Sequence, residues 1–194
     1  RELEKVPGST VLVLGTETTI GSEAHKKALV AGGFAPERIV GQACHGLAGA
    51  IERGPSSEET LEYIRKYVGE ALAKAGPDAG PVFASFNCTH YGYARQQFAD
   101  AFAAAGRPGI EILDPNPLMA DVLFRPAYMH RYPRTEVAVE VVSKLEITER
   151  ERASIGPLLE TVSPAVAEAF RNYTLDPKLF EVEFKPPTDR SERQ

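Results

Sequence analysis

The sequence predicts an α/β fold, an open parallel sheet with helices on both faces. Short runs of β-branched and aliphatic residues alternate with stretches of helical periodicity, and the repeated unit is long enough for a crossover helix between neighbouring strands. The chain has 194 residues, 43% of them hydrophobic and 25% charged, which is enough to bury a core in one domain or two small ones.

Val11-Leu12-Val13-Leu14 ahead of Gly15 reads as a buried parallel strand, and residues 22–30 as the next helix, closed by Gly32-Gly33. Residues 38–42 form a second strand with Ala43-Cys44-His45-Gly46 as its exit loop, and residues 47–53 a short helix stopped by Gly54-Pro55. Ser56 and Glu59 then make a capping box, and Leu61, Ile64, Val68 and Leu72 recur at helical spacing. Pro81-Val82-Phe83-Ala84-Ser85-Phe86 is the third strand, and residues 93–105 the helix after it, with Phe98 and Phe102 on its inner side. Residues 109–113 make a fourth strand ending in Asp114-Pro115-Asn116-Pro117, a turn that also starts a helix to about residue 124.

After Arg125 the pattern changes. Val137, Val139 and Val141 alternate within residues 135–147 and predict a half-exposed strand. Thr148 caps a helix over residues 149–171 that breaks near Gly156-Pro157. Residues 180–184 read as a last strand and the polar residues 185–194, with Pro186-Pro187, as a disordered tail. The expected organisation is an α/β domain over residues 9–124, a divergent α+β segment over 125–184 that packs on it, and the tail.

Net charge is −5 and both signs are interspersed, so there is no electrostatic footprint for nucleic acid or an acidic membrane. No apolar run approaches the roughly 20 residues of a membrane helix, and the start is a charged lead-in rather than a signal sequence. The expected compartment is the cytoplasm, with the two cysteines as reduced thiols. Residue 1 is Arg and the first strand begins near Val11, so either the start is processed or the chain is a piece of a longer one.

Asn87-Cys88-Thr89-His90-Tyr91 concentrates the chemistry. A cysteine after an apolar strand and before a helix meets backbone N–H groups and the positive end of the helix dipole, which favours thiolate. Thr89 and His90 add a hydroxyl and a titratable imidazole within the same turn. A buried structural cysteine with a satisfied histidine is the alternative reading. In Gly15-Thr16-Glu17-Thr18-Thr19-Ile20-Gly21-Ser22 there is neither a P-loop lysine nor dinucleotide glycine spacing, so the hydroxyls there suit a carboxylate, or simply cap a helix through Ser22 or Thr19. Cys44 reads as a buried free thiol, and His25, His45 and His130 as surface or packing residues. The two cysteines and four histidines lack paired ligand spacing, a weak zinc pattern from which no metal site follows.

In order and spacing, Gly15-Thr16-x-x-Thr19-x-x-Ser22, Gly41-Gln42-Ala43-Cys44 with Gly46-Leu47, Ile51-Glu52-x-Gly54, and Cys88-Thr89-His90-Tyr91 resemble the second half of glutamate racemase, of the cofactor-independent aspartate/glutamate racemase superfamily. The resemblance covers about residues 9–124. It implies a racemase-like α/β fold, no cofactor, and acid–base chemistry by two cysteines on opposite faces of the α-carbon of a small dicarboxylic amino acid. It further implies Cys88 and His90 as catalytic residues and Thr16, Thr19 and Thr89 as substrate ligands. His45, His25, Asn87 and Gly92 depart from the family's usual Pro, Tyr, Gly and Pro. The family's first half, which supplies the other cysteine, is not in this sequence, so the resemblance implies an upstream half or partner chain, and a homodimer is a further candidate assembly. Cys44 does not replace that cysteine, because both thiols leave the same edge of one sheet on strands about 4.8 Å apart and would approach a substrate from the same side. A single-cysteine decarboxylase or isomerase of small dicarboxylates, and a non-catalytic carboxylate-binding domain, are the rival functions.

Overall fold

In the computed structural model, which describes residues 6–129, 131–134 and 136–180, β1 (Thr10–Gly15) is buried at every position, as a strand covered on both faces must be. It sits at the centre of a four-stranded sheet of order β2-β1-β3-β4, with β2 Ile39–Ala43, β3 Val82–Asn87 and β4 Glu111–Leu113. Every pairing is parallel. The crossovers are helical: α1 (Glu17–Gly21) and α2 (Ala24–Ala31), then α3 (Leu47–Arg53) and α4 (Glu58–Ala75), then α5 (Arg95–Ala104), with α6 (Pro115–Leu123) after the last strand. The predicted α/β architecture with helices on both faces is therefore the architecture observed.

The two faces differ. Leu12, Leu14, Ala84 and Phe86 pack under α3, α4 and α5 against Leu47, Ile64, Val68, Phe98 and Phe102. On the other face Val11, Val13, Ile39 and Phe83 form a smaller cluster, and neither α2 nor α6 contributes a buried residue.

Residues 15–24 depart from expectation. The predicted open loop is α1, capped by the Thr16 hydroxyl rather than by Thr19 or Ser22, and the predicted 22–30 helix starts only at Ala24, because Glu23 at φ 54° interrupts the chain between α1 and α2. Gly15 permits this close return: a Cβ there would lie 3.0 Å from the Thr19 methyl.

The long helix α4 forms as predicted, one residue out of register at its start. Ser57, not Ser56, is the cap, accepting from the Thr60 N–H, while Ser56 accepts from Gln97. Its buried stripe is Thr60, Ile64, Tyr67, Val68 and Ala71, with Leu61 and Leu72 half-buried at its margin. Ser57→Ala should cost about 1 kcal/mol in denaturant unfolding and Ser56→Ala a few tenths at most; equal costs would put the cap elsewhere.

The chain divides into two compact units, residues 1–135 and 136–194. In the second, the predicted long strand over 135–147 reduces to β5 (Val142–Ser143), paired in parallel with β6 (Thr174–Leu175). The alternating Val137, Val139 and Val141 instead border an open cleft with Ala165, Ala169 and Thr174, and Val137 is 82% exposed. Thr148 does cap a helix, through a reciprocal box with Glu151, but α7 (Glu149–Val162) runs through Pro157 and the break falls before α8 (Pro164–Arg171). Ser163, held extended at φ −158° by the proline after it, ends one helix and caps the next at Val166. The predicted strand over 180–184 and the tail lie, past Phe180, outside the described residues. No helix among the described residues is long and apolar enough to cross a membrane.

Candidate active site

Parallel strands deliver their carboxyl ends to one edge, which is where open α/β sheets bind ligands. In the register, Gly15 pairs with both Ala43 and Asn87, so Thr16, Cys44 and Cys88 leave β1, β2 and β3 at one level. From there the two thiols diverge. Cys44 turns into the core, 2% exposed, with its S–H directed at the Gln42 carbonyl, 3.6 Å away. Burial pushes its thiol up to about 12 against the opposing pull of the Tyr91 hydroxyl. A thiol in that state is neither nucleophile nor base at neutral pH. The Tyr91 hydroxyl is itself buried beside that sulfur, without a nitrogen or oxygen partner among the described residues.

Cys88 remains half-buried at the edge. The Tyr91 N–H donates to the Cys88 carbonyl and closes a turn that carries the His90 ring back over the sulfur, with Sγ 3.5 Å from Nδ1. The other ring nitrogen, Nε2, is 2.7 Å from Glu52 Oε1, on the last turn of α3. Leu47, Ala50 and Ile51 anchor α3 in the core, and Glu52 is thereby fixed at the rim. Thiolate and carboxylate both accept, so an imidazolium, with an N–H at each nitrogen, satisfies both neighbours. Burial raises the Cys88 thiol, but hydrogen bonds from the His90 ring and backbone N–H outweigh it and hold the group below its ordinary 9.0. His90 is raised from 6.5, chiefly by its bond to the Cys88 sulfur against desolvation, with the Glu52 charge and hydrogen bond adding to the rise. The arrangement is a thiol activated by an imidazole that a carboxylate orients.

Thr16 and Thr19 stand on the same edge with their hydroxyls 2.9 Å apart. One of the two protons is shared between them, which leaves one O–H and the outer lone pairs for a ligand. Thr89 is exposed in the turn between Cys88 and His90. His45 is exposed, its Nδ1 3.1 Å from a Glu17 carboxylate oxygen, in keeping with a surface role. His25, also exposed, borders a cleft of about 400 Å³ with Ser85, Asn87 and Asp114. His130 lies outside the described residues. Among the described residues no three Cys, His, Asp or Glu side chains gather to hold a metal ion.

Glu52 is the residue that sequence reasoning left without a role. It is 38 positions from His90 and on a different element, and the trace of it was Ile51-Glu52-x-Gly54 within the family-like pattern.

No protein-family profile matches the sequence. A curated relative, the glutamate racemase of Herpetosiphon aurantiacus, is 36% identical over 103 residues. The match takes in 53% of this chain and 37% of that protein, so the chain spans well under half the length of its relative. That likeness supports the racemase superfamily without singling out a member.

Proposed function

We propose that this chain carries one half of the active site of a cofactor-independent amino-acid racemase acting on a small dicarboxylic amino acid, glutamate before aspartate. The observation that carries the reading is the Cys88–His90–Glu52 relay at the ligand-binding edge of a parallel sheet. The partial likeness to a glutamate racemase points the same way. In this reading the Cys88 thiolate takes the α-proton from one face of the substrate and becomes a thiol, while the electron pair stays on the α-carbon, delocalised into the adjacent carboxylate. A second acid on the opposite face returns a proton and inverts the centre. Cys44 is no candidate for it, being buried and held protonated. The second acid therefore comes from an upstream half or a partner chain. Thr16, Thr19 and Thr89 bind the substrate carboxylates, His90 keeps Cys88 ionised, and Glu52 positions His90.

One observation favours a second reading for the chain by itself. Cys88 is the one thiol at the crevice, and a single thiol suffices for a decarboxylase or cis–trans isomerase of small dicarboxylates. Alkylation tests what the readings share. Iodoacetamide should label Cys88 at least about tenfold faster than Cys44 at pH 7, and millimolar glutamate or aspartate should slow it. Thr16→Ala with Thr19→Ala should weaken that protection by about 1–3 kcal/mol, the usual loss for hydrogen bonds to a charged group. Equal labelling of the two cysteines, indifferent to both dicarboxylates, contradicts the assignment.

A further inference from the structure

Removing an α-proton is one use of a thiolate; attack on a carbonyl carbon is another, and it asks different things of the neighbours. Inversion at an α-carbon needs a second acid on the opposite face. Acyl transfer needs a nucleophile, a group that gives up a proton and takes one back, and a third group that holds the second in place. Cys88, His90 and Glu52 stand in that arrangement. Glu52 also fixes the tautomer of the ring. A carboxylate only accepts, so the Nε2 that faces it at 2.7 Å keeps its hydrogen whether the ring is charged or neutral. When the imidazolium loses a proton, the nitrogen laid bare is therefore Nδ1, 3.5 Å from the Cys88 sulfur. A ring used only as a fixed charge has no need of that choice. In the register Gly15 pairs with Asn87, so Thr16 leaves β1 beside Cys88, and the O–H left over by the Thr16–Thr19 pair is a donor for a carbonyl oxygen that turns negative.

We propose that Cys88, His90 and Glu52 also work as a nucleophilic triad that hydrolyses thioesters. The Cys88 sulfur bonds to the carbonyl carbon, the bond from that carbon to the leaving sulfur breaks, and the proton on Nδ1 goes to the departing thiolate. The bare Nδ1 then takes a proton from a water molecule as the water oxygen attacks the acyl carbon. The bond to the Cys88 sulfur breaks, the carboxylic acid leaves, and the thiolate and imidazolium are restored. A thioester is the class that fits this half-buried sulfur, because the leaving group is a thiolate like the attacking one and His90 has nothing more basic to protonate. Thioester hydrolysis goes beyond the racemase reading and draws on this chain's residues alone, so its failure would leave α-proton exchange to be judged by itself.

Phenyl thioacetate and the 194-residue chain test it, with thiophenol release followed optically and the Cys88 peptide weighed by mass spectrometry. An acetyl group should appear on Cys88, followed by steady release well past a single equivalent per chain. Cys88→Ala should abolish both, and Cys44→Ser should change neither. His90→Ala should slow deacylation by about 10²-fold or more, the contribution of a positioned base. Glu52→Gln should slow deacylation at least about tenfold and move the pH profile of acylation upward, which a merely structural contact would not do, and it decides the matter should His90→Ala disturb folding. Acetylation of Cys88 that stops at a single equivalent overturns the inference. So does steady release that survives Cys88→Ala, or a Glu52→Gln variant whose deacylation and pH profile are both unmoved.

Discussion

Cys88→Ser should lower exchange of the substrate α-proton by about 10²–10⁴-fold, the range a positioned general acid or base contributes. A serine hydroxyl is far too weakly acidic to ionise beside His90, so both the base and its conjugate acid are lost. Cys44→Ser should leave exchange within about twofold, because that thiol is closed in the core and held protonated. Solvent-deuterium incorporation followed by proton NMR reads both variants. Comparable losses from the two would mean that Cys44 takes part and that its burial is misread.

Glu52→Gln acts on Cys88 through His90. The carboxylate 2.7 Å from Nε2 favours the imidazolium, and the imidazolium favours the Cys88 thiolate. The direction of the pH effect follows. His90 is raised above 6.5, so its charge is present at low pH and is lost as pH rises through the raised value. Cys88 is lowered below 9.0, so its thiolate is present at high pH and is lost as pH falls through the lowered value. The reactive pair fills the window between. Without the carboxylate, His90 gives up its proton earlier; the Glu52 charge also raises the Cys88 thiol directly, but that is a smaller influence than the His90 contacts that lower it, so Cys88 ionises later and its alkylation profile moves toward 9.0. At pH 7 the rate should fall several-fold, because less of the thiol is ionised there. Unfolding temperature should change little, since a pair whose side chains are 33% and 37% exposed is partly screened by solvent. An unmoved profile would reduce Glu52 to a bystander.

The parallel sheet was legible because each strand of the first unit is a short apolar run with a helix after it, and β1, covered on both faces, admits no polar interruption. The position of Cys88 followed from that grammar alone. Caps were less legible. Ser56 and Ser57 both suit the start of α4, and only the packing of Thr60 beneath the cap separates them. Thr16 as the cap of α1 was hidden by a loop that reads as glycine-rich until Gly15 is seen under the Thr19 methyl. The alternating valines at 137, 139 and 141 gave a strand pattern, yet a strand also needs a partner edge, and sequence periodicity does not report one. Glu52 illustrates the same limit in the site: its role arises from a contact between two elements, and no local pattern encodes it.

Deuterium incorporation with each enantiomer separately tests the central claim most directly. The claim is that Cys88 works on one face of an acidic α-amino acid and that a second acid, from outside this chain, works on the other. With D- and L-glutamate in deuterated water, the 194-residue chain alone should leave the optical rotation of both unchanged. Joined to an upstream half, or mixed with a polypeptide carrying a second cysteine, it should interconvert them with deuterium at the α-carbon, and Cys88→Ser should abolish that conversion. Full racemisation by the isolated chain, or conversion that survives Cys88→Ser in the completed enzyme, would contradict the account.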